Sequence, residues 1–363
     1  MKISIVKLGF FINQLLDSFS YLKWIYSFIY LCLFLIFIST RINFAQNVDT
    51  LSNQENLNDS QFLSPEKFTY AGERRYTLNG LLPNNKTEIR PASAVIFGGI
   101  YLGTITWLHF HQANAWWSKE RGNFHFEEDW VYALQVDKAG HFYGGYLISY
   151  LMSEGLIASG FSWDDATIWG TVLGVAYQTY VETEDGFATS WGFSPSDWYA
   201  DAAGSIFFMA QHYVPALQNI TPKWQYVPAE WTNKPVIERP RTFIDDYNSS
   251  TFWWSVNLYN ILPEKMKNYW LPWLDLSFGY GADAIDAATT SNGPPDRLAT
   301  RRYMIGLDYN LVKLLPEGGW FWNWFRQSLN FIKFPSPALE FKNNVTRFYL
   351  FYPFQISIGN VTL

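Results

Sequence analysis

Acidic residues and one histidine stand at the ends of helices that are otherwise almost free of charge. Asp137 and His141 lie four residues apart, and Asp197 and Asp201 repeat that spacing further along the chain. Residues four apart share one face of a helix. Polar groups among apolar helices are costly unless they are paired or used. They are therefore the best guide to function, and the candidate cluster consists of Asp137, Lys138, His141, Glu182, Asp185, Asp197 and Asp201.

Carboxylates beside a histidine suit a hard or borderline divalent cation such as magnesium, manganese or zinc. The candidate metal ligands are His141, Asp137, Asp197 and Asp201. A histidine in the first turn of a helix is disfavoured as a cation, so we expect His141 to be neutral and able to ligate. The chain lacks the Glu-x-x-His pair of di-iron bundles, which argues against a metal site of that type.

A structural role accounts for the same residues. Acidic side chains favour a helix N-terminus by about 0.3–1 kcal/mol each. Ser162 with Asp165 and Ser194 with Asp197 have the spacing of a capping box. Three interpretations therefore stay open: a polar network that fixes helix packing, a divalent metal site, and acid–base catalysis without a metal on a lipid or glycan.

Four glycine-bearing helices must position these side chains. The stretch 91–118 has no charged residue, a second helix spans about 137–158, a third runs from 163 to about 181, and a fourth begins at Pro195. In an antiparallel arrangement, the starts of the second and fourth helices meet the end of the third. The acidic residues and His141 can therefore converge at one mouth of the bundle.

The pattern changes from helical to alternating after this region. Residues 274–281, 303–311 and 354–359 alternate as strands do, and the aromatic stretch 320–334 suggests an amphipathic helix. Aromatic alternation with glycine on the polar face is typical of outer-membrane strands. We expect a small sheet packed on the helices or lying on a membrane.

The predicted fold class is α+β: a four-helix bundle core, either membrane-embedded or compact and buried, followed by a C-terminal antiparallel β region. The expected divisions are a signal peptide or N-terminal anchor (1–46), a disordered spacer and lead-in (47–90), the helical bundle (91–217), a connector (218–270) and the β region with its amphipathic helix (271–363).

Composition narrows the class of protein. Only 16% of residues are charged and 20% are aromatic, whereas soluble chains average about 25% charged, so we expect membrane contact or a very aromatic core. The net charge of −6 without any basic run argues against nucleic acid. The single cysteine, Cys32, lies in an apolar run that resembles an export signal. Its removal would exclude thiol chemistry from the mature chain.

Three motifs together resemble a known family. Asp-Lys-x-x-His-Phe at 137–142, Glu-x-x-Asp at 182–185 and Gly-Phe-Ser-x-x-Asp-x-x-x-Asp-x-Ala-Gly at 192–204 are similar to the YfiM-type predicted periplasmic lipoproteins, a domain of unknown function. The resemblance implies a helical core and an envelope location in a Gram-negative bacterium, and it implies no reaction. A weaker similarity links the chain to VanZ-like membrane proteins, which carry asparagine where Asp201 stands. Cys32 lacks the preceding small residue of an acylation site, so we expect docking on the membrane instead.

We therefore expect an exported, membrane-associated bacterial envelope protein, at the inner or outer membrane, of unassigned biochemical activity. In this hypothesis the cluster structures the helical bundle and the protein is not an enzyme. The alternative is a metal-dependent hydrolase acting on a lipid or cell-wall component. The expected partner is a membrane lipid or envelope component, not nucleic acid, and the sequence identifies no protein partner.

Overall fold

The computed structural model describes residues 61–117, 121–232, 242–285 and 299–355, with two short strands beyond them. The predicted signal peptide or anchor (1–46) and Cys32 lie outside the described residues. The helices are α1 (Pro91–Gln112), α2 (Val136–Ala158), α3 (Trp163–Gly186), α4 (Pro195–Tyr213), α5 (Leu258–Ile261), α6 (Glu264–Lys267), α7 (Leu311–Leu314) and α8 (Trp320–Leu329). The strands are β1 (Thr69–Tyr70), β2 (Glu73–Arg74), β3 (Ile220–Tyr226), β4 (Ser250–Val256), β5 (Leu274–Asp283), β6 (Thr300–Tyr309), β7 (Ser336–Lys342), β8 (Val345–Tyr352), β9 (Ser357–Ile358) and β10 (Val361–Thr362).

Helices α3 and α4 begin at the caps that the sequence predicts. The Ser162 hydroxyl accepts the Asp165 amide at 3.2 Å, and the Ser194 hydroxyl accepts the Asp197 amide at 3.2 Å. These bonds satisfy amides that the first turn of a helix leaves without partners. Helix α3 continues past the predicted end at Val181 to Gly186, so its last turns carry Glu182 and Asp185.

Backbone contact sets the distances between α2, α3 and α4. A Cβ at Gly204 would overlap the carbonyl oxygen of Phe142, and one at Gly145 would overlap that of Asp201. A Cβ at Gly174 on α3 would overlap the hydroxyl of Ser149 on α2. Glycine at these positions brings the first turns of α2 and α4 close enough for their polar side chains to meet.

Helix α1 lies beside this group of three and is largely exposed. With the π-helical turn that follows it, Pro91–Trp117 forms a 27-residue helix long and apolar enough to cross a membrane, and 6% of its hydrophobic window is buried. The Tyr101 hydroxyl joins it to α2 by donating to the carbonyl of Leu151. The structure thus shows α2, α3 and α4 packed together. A four-helix bundle that includes α1 stays a prediction, and so does the insertion of α1 into a membrane.

The C-terminal half forms a six-stranded antiparallel sheet in the order β3-β4-β5-β6-β7-β8. Strands β5 and β6 confirm the predicted alternation, and α8 confirms the start of the predicted amphipathic helix. The predicted connector, 218–270, instead contributes β3 and β4. Strand β3 contains Pro222 and is at the sheet edge, where proline is tolerated. The predicted strand at 354–359 lies partly outside the described residues.

The sheet has its polarity reversed relative to a sheet in water. Its buried face carries ion pairs, including Lys223 with Asp308 at 2.9 Å and Arg302 with Asp283 at 2.9 Å. Antiparallel sheets in soluble proteins usually bury the apolar face. Here the exposed face is apolar and aromatic across β5 to β8, with Phe278, Tyr303, Ile305, Leu339, Phe341 and Phe348 at its surface.

Helix α2 covers part of this outer face. The Phe142 ring lies 5.1 Å from the Trp254 ring, and the Tyr143 ring lies 6.0 Å from the Phe252 ring. Ring pairs at such distances contribute about 0.5–1.5 kcal/mol beyond burial. The sheet therefore serves as a platform for the helix that opens with Asp137 and Lys138.

The close approach of α2 and α4 gives a testable prediction. Replacing Gly204 with Ala should lower the free energy of unfolding by roughly 1–3 kcal/mol, because the methyl group would displace α2. Gly99→Ala is the matched control, since a Cβ there meets nothing within 4 Å. Thermal denaturation followed by circular dichroism measures both. Equal melting temperatures for the two variants would contradict the proposed packing.

Candidate functional site

The structure brings the predicted residues to one end of the helical group. Asp137, Lys138 and His141 come from the start of α2, and Asp197 and Asp201 come from the start of α4. Glu182 and Asp185 come from the end of α3. We call these seven residues the acidic–histidine cluster. Most of it is buried, and the His141 side chain is 22% exposed.

A left-handed turn places the start of α2. Ala133, Leu134 and Gln135 have φ angles of 46°, 53° and 66°, a region that costs non-glycine residues about 1–2 kcal/mol each. The Tyr280 hydroxyl holds the turn by donating to the Leu134 carbonyl, and Arg301 donates to the Gln135 side chain at 2.8 Å. The sheet thereby fixes the direction in which Asp137 and Lys138 enter the cluster.

Lys138 joins three carboxylates. Its ammonium contacts Asp137 at 2.8 Å, Asp197 at 2.6 Å and, in addition, Asp129. Sequence reasoning missed Asp129, which stands in an acidic loop segment with no helical spacing to the other residues. The Ser194 hydroxyl, which caps α4, also donates to Asp129 at 2.6 Å. Asp129 therefore ties the loop to both α2 and α4.

His141 lies between two pairs of carboxylates. Its Nε2 is 3.6 Å from Asp137 and 3.6 Å from Asp197. Its Nδ1 is 3.2 Å from Asp201 and 3.7 Å from Glu182. The imidazole thus connects all three helices. Asp185 accepts a hydrogen bond from the Trp117 indole at 2.7 Å.

Two further side chains complete the cluster. The Gln178 amide donates to Asp201, and the Tyr247 hydroxyl donates to Asp137. Gln178 lies four residues before Glu182 on the same face of α3, so helical spacing could have identified it. Tyr247 belongs to the segment between β3 and β4. It is so far along the chain from the other cluster residues that no spacing pattern in the sequence identifies it.

Burial and neighbouring charges shift the titration of the cluster. Burial raises the pKa of Glu182 to about 8 and that of Asp185 to about 7. Burial also raises the pKa of Asp201, and burial together with the charge of Asp137 raises that of Asp197. Burial opposes ionisation of Asp137 too, but Lys138 and His141 hold its pKa below the ordinary value.

The expectation of a neutral His141 is wrong for the protein without a metal. Burial lowers the pKa of the imidazole, but Asp197, Asp201 and Asp137 together raise it well above its ordinary value. These carboxylates outweigh the unfavourable helix dipole that the sequence argument used. A bound metal ion would have to displace this proton.

The donor atoms fit a metal ion on one side of the imidazole better than on the other. Two sets have their donor atoms within 4.8 Å of one another: Asp137, His141 and Asp197, and His141, Glu182 and Asp201. In the first set, the Lys138 ammonium already balances the charge of Asp137 and Asp197. In the second, the 3.2 Å and 3.7 Å separations from Nδ1 are near the ~3.4 Å expected between ligands with bonds of about 2.1 Å.

The comparisons with known proteins concern this helical region. Residues 124–211 match the family model described as predicted periplasmic lipoprotein (DUF2279). The match includes Asp129, α2, α3 and most of α4, which confirms the resemblance drawn from the motifs. It gives no support to the weaker VanZ-like similarity. No curated protein and no solved structure matches the chain.

The family description agrees with the predicted location in the bacterial cell envelope. It assigns no activity. The match ends before β3, so the six-stranded sheet lies outside it. The functional argument for the cluster therefore rests on its geometry.

Removing the lysine of the cluster should destabilise the protein strongly. Lys138→Met leaves Asp129, Asp137 and Asp197 without their shared cation, and breaking a buried pair in this way costs about 3–5 kcal/mol. The loss should be smaller at pH 5 than at pH 8, because acid neutralises the remaining carboxylates. Lys267→Met is the control, since its partner Glu264 is 87% exposed and such pairs contribute about 0–1 kcal/mol. Equal losses in urea denaturation would contradict the assignment.

Glu182 should make stability fall as pH rises. Folded Glu182 keeps its proton up to about pH 8, whereas the unfolded chain loses it near pH 4.5. The free energy of unfolding therefore decreases between these values, by at most about 1.4 kcal/mol per pH unit. Glu182→Gln should gain stability over the parent across this window in chelator, measured by urea denaturation. Exposed Glu264→Gln is the control, and parallel pH profiles for Glu182→Gln and the parent would refute the prediction.

Proposed function

We propose that the protein is a membrane-associated envelope protein, in which the acidic–histidine cluster fixes the packing of α2, α3 and α4. In this proposal α1 inserts into lipid and the outer face of the sheet contacts it. The observation that carries the proposal is the reversed polarity of the sheet. Its charges are paired inside, and apolar and aromatic side chains cover its outer face.

Water is a poor environment for such a surface. Exposed apolar patches on soluble monomers rarely exceed about 300–600 Å², and here such residues follow one another across β5 to β8. Alternation with apolar side chains outward is the pattern of strands that face lipid. Helix α8 has the same reversal, because Asn323 and Arg326 are buried while Trp322 and Phe325 are exposed.

The cluster supports the structural part of the proposal. His141 contacts carboxylates from α3 and α4, and Tyr247 links Asp137 to the segment that leads into β4. These contacts connect every element at this end of the molecule. A network of this kind specifies one arrangement of helices, because each buried charge must keep its partner.

A fluorescent label on the sheet tests the lipid contact. Cys32 is the only cysteine, so a Cys32→Ser background accepts one environment-sensitive label at Ile305→Cys on β6 or at Tyr269→Cys. Tyr269 is 90% exposed and lies after α6, outside the strands of the sheet. In vesicles with brominated acyl chains, the label at position 305 should shift to the blue and be quenched. The label at position 269 should stay water-like.

Equal, water-like spectra at both positions would overturn the lipid contact of the sheet. Both labelled proteins are the full chain in the same vesicles, so any contact of α1 with lipid is common to both. A difference between the two positions therefore reports on the sheet.

A second candidate function is a metal-dependent hydrolase acting on a lipid or cell-wall component. It is favoured by the donor set of His141, Glu182 and Asp201, which no lysine of the described residues contacts, and by the partial exposure of His141. A bound divalent metal would supply Lewis acidity. Asp197 and Asp185, whose pKa values burial raises, are placed nearby to hold a proton.

Metal content distinguishes this candidate from the structural one. Elemental mass spectrometry on the full chain should find near-stoichiometric metal, and Asp201→Asn should remove most of it. Asp164→Asn is the control, because Asp164 is 73% exposed at the far end of α3. Absence of metal from the parent, purified without chelator, would exclude the hydrolase and leave the polar network.

A further inference from the structure

A second site lies at the other end of the helices. An open cavity, with about 750 Å³ of empty space when the solvent at its mouth is included, is bounded by the β1–β2 hairpin, α2, α4 and the sheet. Tyr146, Tyr150, Phe208 and Phe331 provide its aromatic wall. Tyr150 is thirteen residues beyond Asp137 on α2, which corresponds to roughly 20 Å along the helix. The cavity is therefore separate from the acidic–histidine cluster.

Besides the Tyr70 hydroxyl, two buried polar atoms in its lining have no protein hydrogen-bond partner among the described residues. They are Nδ2 of Asn257, a hydrogen-bond donor, and Oδ1 of Asp275, an acceptor. Asn257 is 4% exposed and Asp275 is 2% exposed. Buried polar groups are nearly always hydrogen-bonded. A donor and an acceptor left together in one cavity therefore point to a ligand that has both capacities.

The local fold explains why amide groups remain for a ligand. The Asn257 Oδ1 caps α5 by accepting the Asn260 amide at 3.3 Å, and the Asn310 Oδ1 caps α7 by accepting the Lys313 amide at 3.3 Å. The Asn330 Oδ1 accepts both the Leu311 amide and the Lys223 ammonium. The side-chain carbonyl of each asparagine thus accepts hydrogen bonds from the protein itself. What each side chain has left is its NH₂ group, and all three asparagines line the cavity.

The charges of the lining balance. Arg74 and Arg75 are matched by Glu73 and Asp275, and Arg75 is already paired with buried Glu154. A net charge on the ligand would therefore gain little. An apolar chain would also fit poorly, because it would leave Asn257 and Asp275 buried and unpaired.

We propose that this cavity binds a neutral saccharide unit. Sugar hydroxyls donate to Asp275 and accept from the asparagine amides, since each hydroxyl has both capacities. The C–H face of the ring packs on the aromatic wall, which contributes apolar contact at one side of the ligand. The mixed apolar and polar lining is that of small-molecule sites. This inference stands whether or not the proposed function is correct.

Ligand-observed NMR on the full chain tests the proposal. The probes are glucose, galactose, N-acetylglucosamine and lactose, with 1-hexanol as the apolar probe. A phosphocholine detergent is used because a detergent with a sugar headgroup would compete. At least one sugar should bind with a Kd on the order of 1 mM, and hexanol should not displace it.

Two variants keep the size of the side chain, and each removes one hydrogen-bonding group from the cavity. Asn257→Asp retains the Oδ1 cap of α5 and loses the donor, and Asp275→Asn loses the charged acceptor. Each should weaken sugar binding roughly tenfold, the effect of one lost hydrogen bond. Asn123→Asp makes the same chemical change on an exposed loop and should bind as the parent does. Melting temperatures confirm folding, and Asn310→Asp replaces either variant that fails to fold.

Three results would overturn the proposal. The first is failure of every sugar in the panel to bind the parent. The second is binding that neither cavity variant weakens. The third is displacement of the sugar by hexanol, which would identify an apolar site.

Discussion

The arrangement of the helices depends on an excess of buried carboxyl groups over buried cations among the described residues. Lys138 and His141 are the cations that face six carboxylates: Asp129, Asp137, Glu182, Asp185, Asp197 and Asp201. Buried carboxylates repel one another and lose hydration, so they must share protons, cations or hydrogen bonds. That requirement places α2, α3 and α4 so that their polar ends meet around one imidazole. The glycines at their crossings permit the approach, and Tyr247 extends the network to the sheet.

The same preference for inward polarity continues in the sheet. Lys223, Arg302 and their carboxylate partners lie inside, while Tyr303 and Ile305 face out. A chain with this distribution satisfies its charges without bulk water and presents apolar surface to its surroundings. That explains how a protein with only 16% charged residues can still carry two dense ionic networks. The low charge content reflects an apolar exterior, and the charges that remain are concentrated within.

The sequence predicted those features that depend on local chemistry. The serine caps at Ser162 and Ser194, the i,i+4 pairs on α2 and α4, and the alternation of β5 and β6 are short-range patterns. Features that depend on distant contacts were missed. Asp129 and Tyr247 reach the cluster only through the tertiary fold, and β3 and β4 lie in the segment that was predicted as a connector. The prediction of a neutral His141 used the helix dipole, which is local, whereas the carboxylates of α4 that raise the pKa of His141 are distant along the chain.

The protonation state of His141 tests the central claim most directly. Selective ¹⁵N-histidine labelling, with His141→Ala to assign the signal, reports the state of both ring nitrogens in chelator-treated protein. If the carboxylates control this site, His141 stays an imidazolium well above pH 6.5, the range in which a free imidazole loses its proton. A His141 signal that becomes neutral at or below that pH would contradict the account. The cluster would then not be held by a charged imidazole.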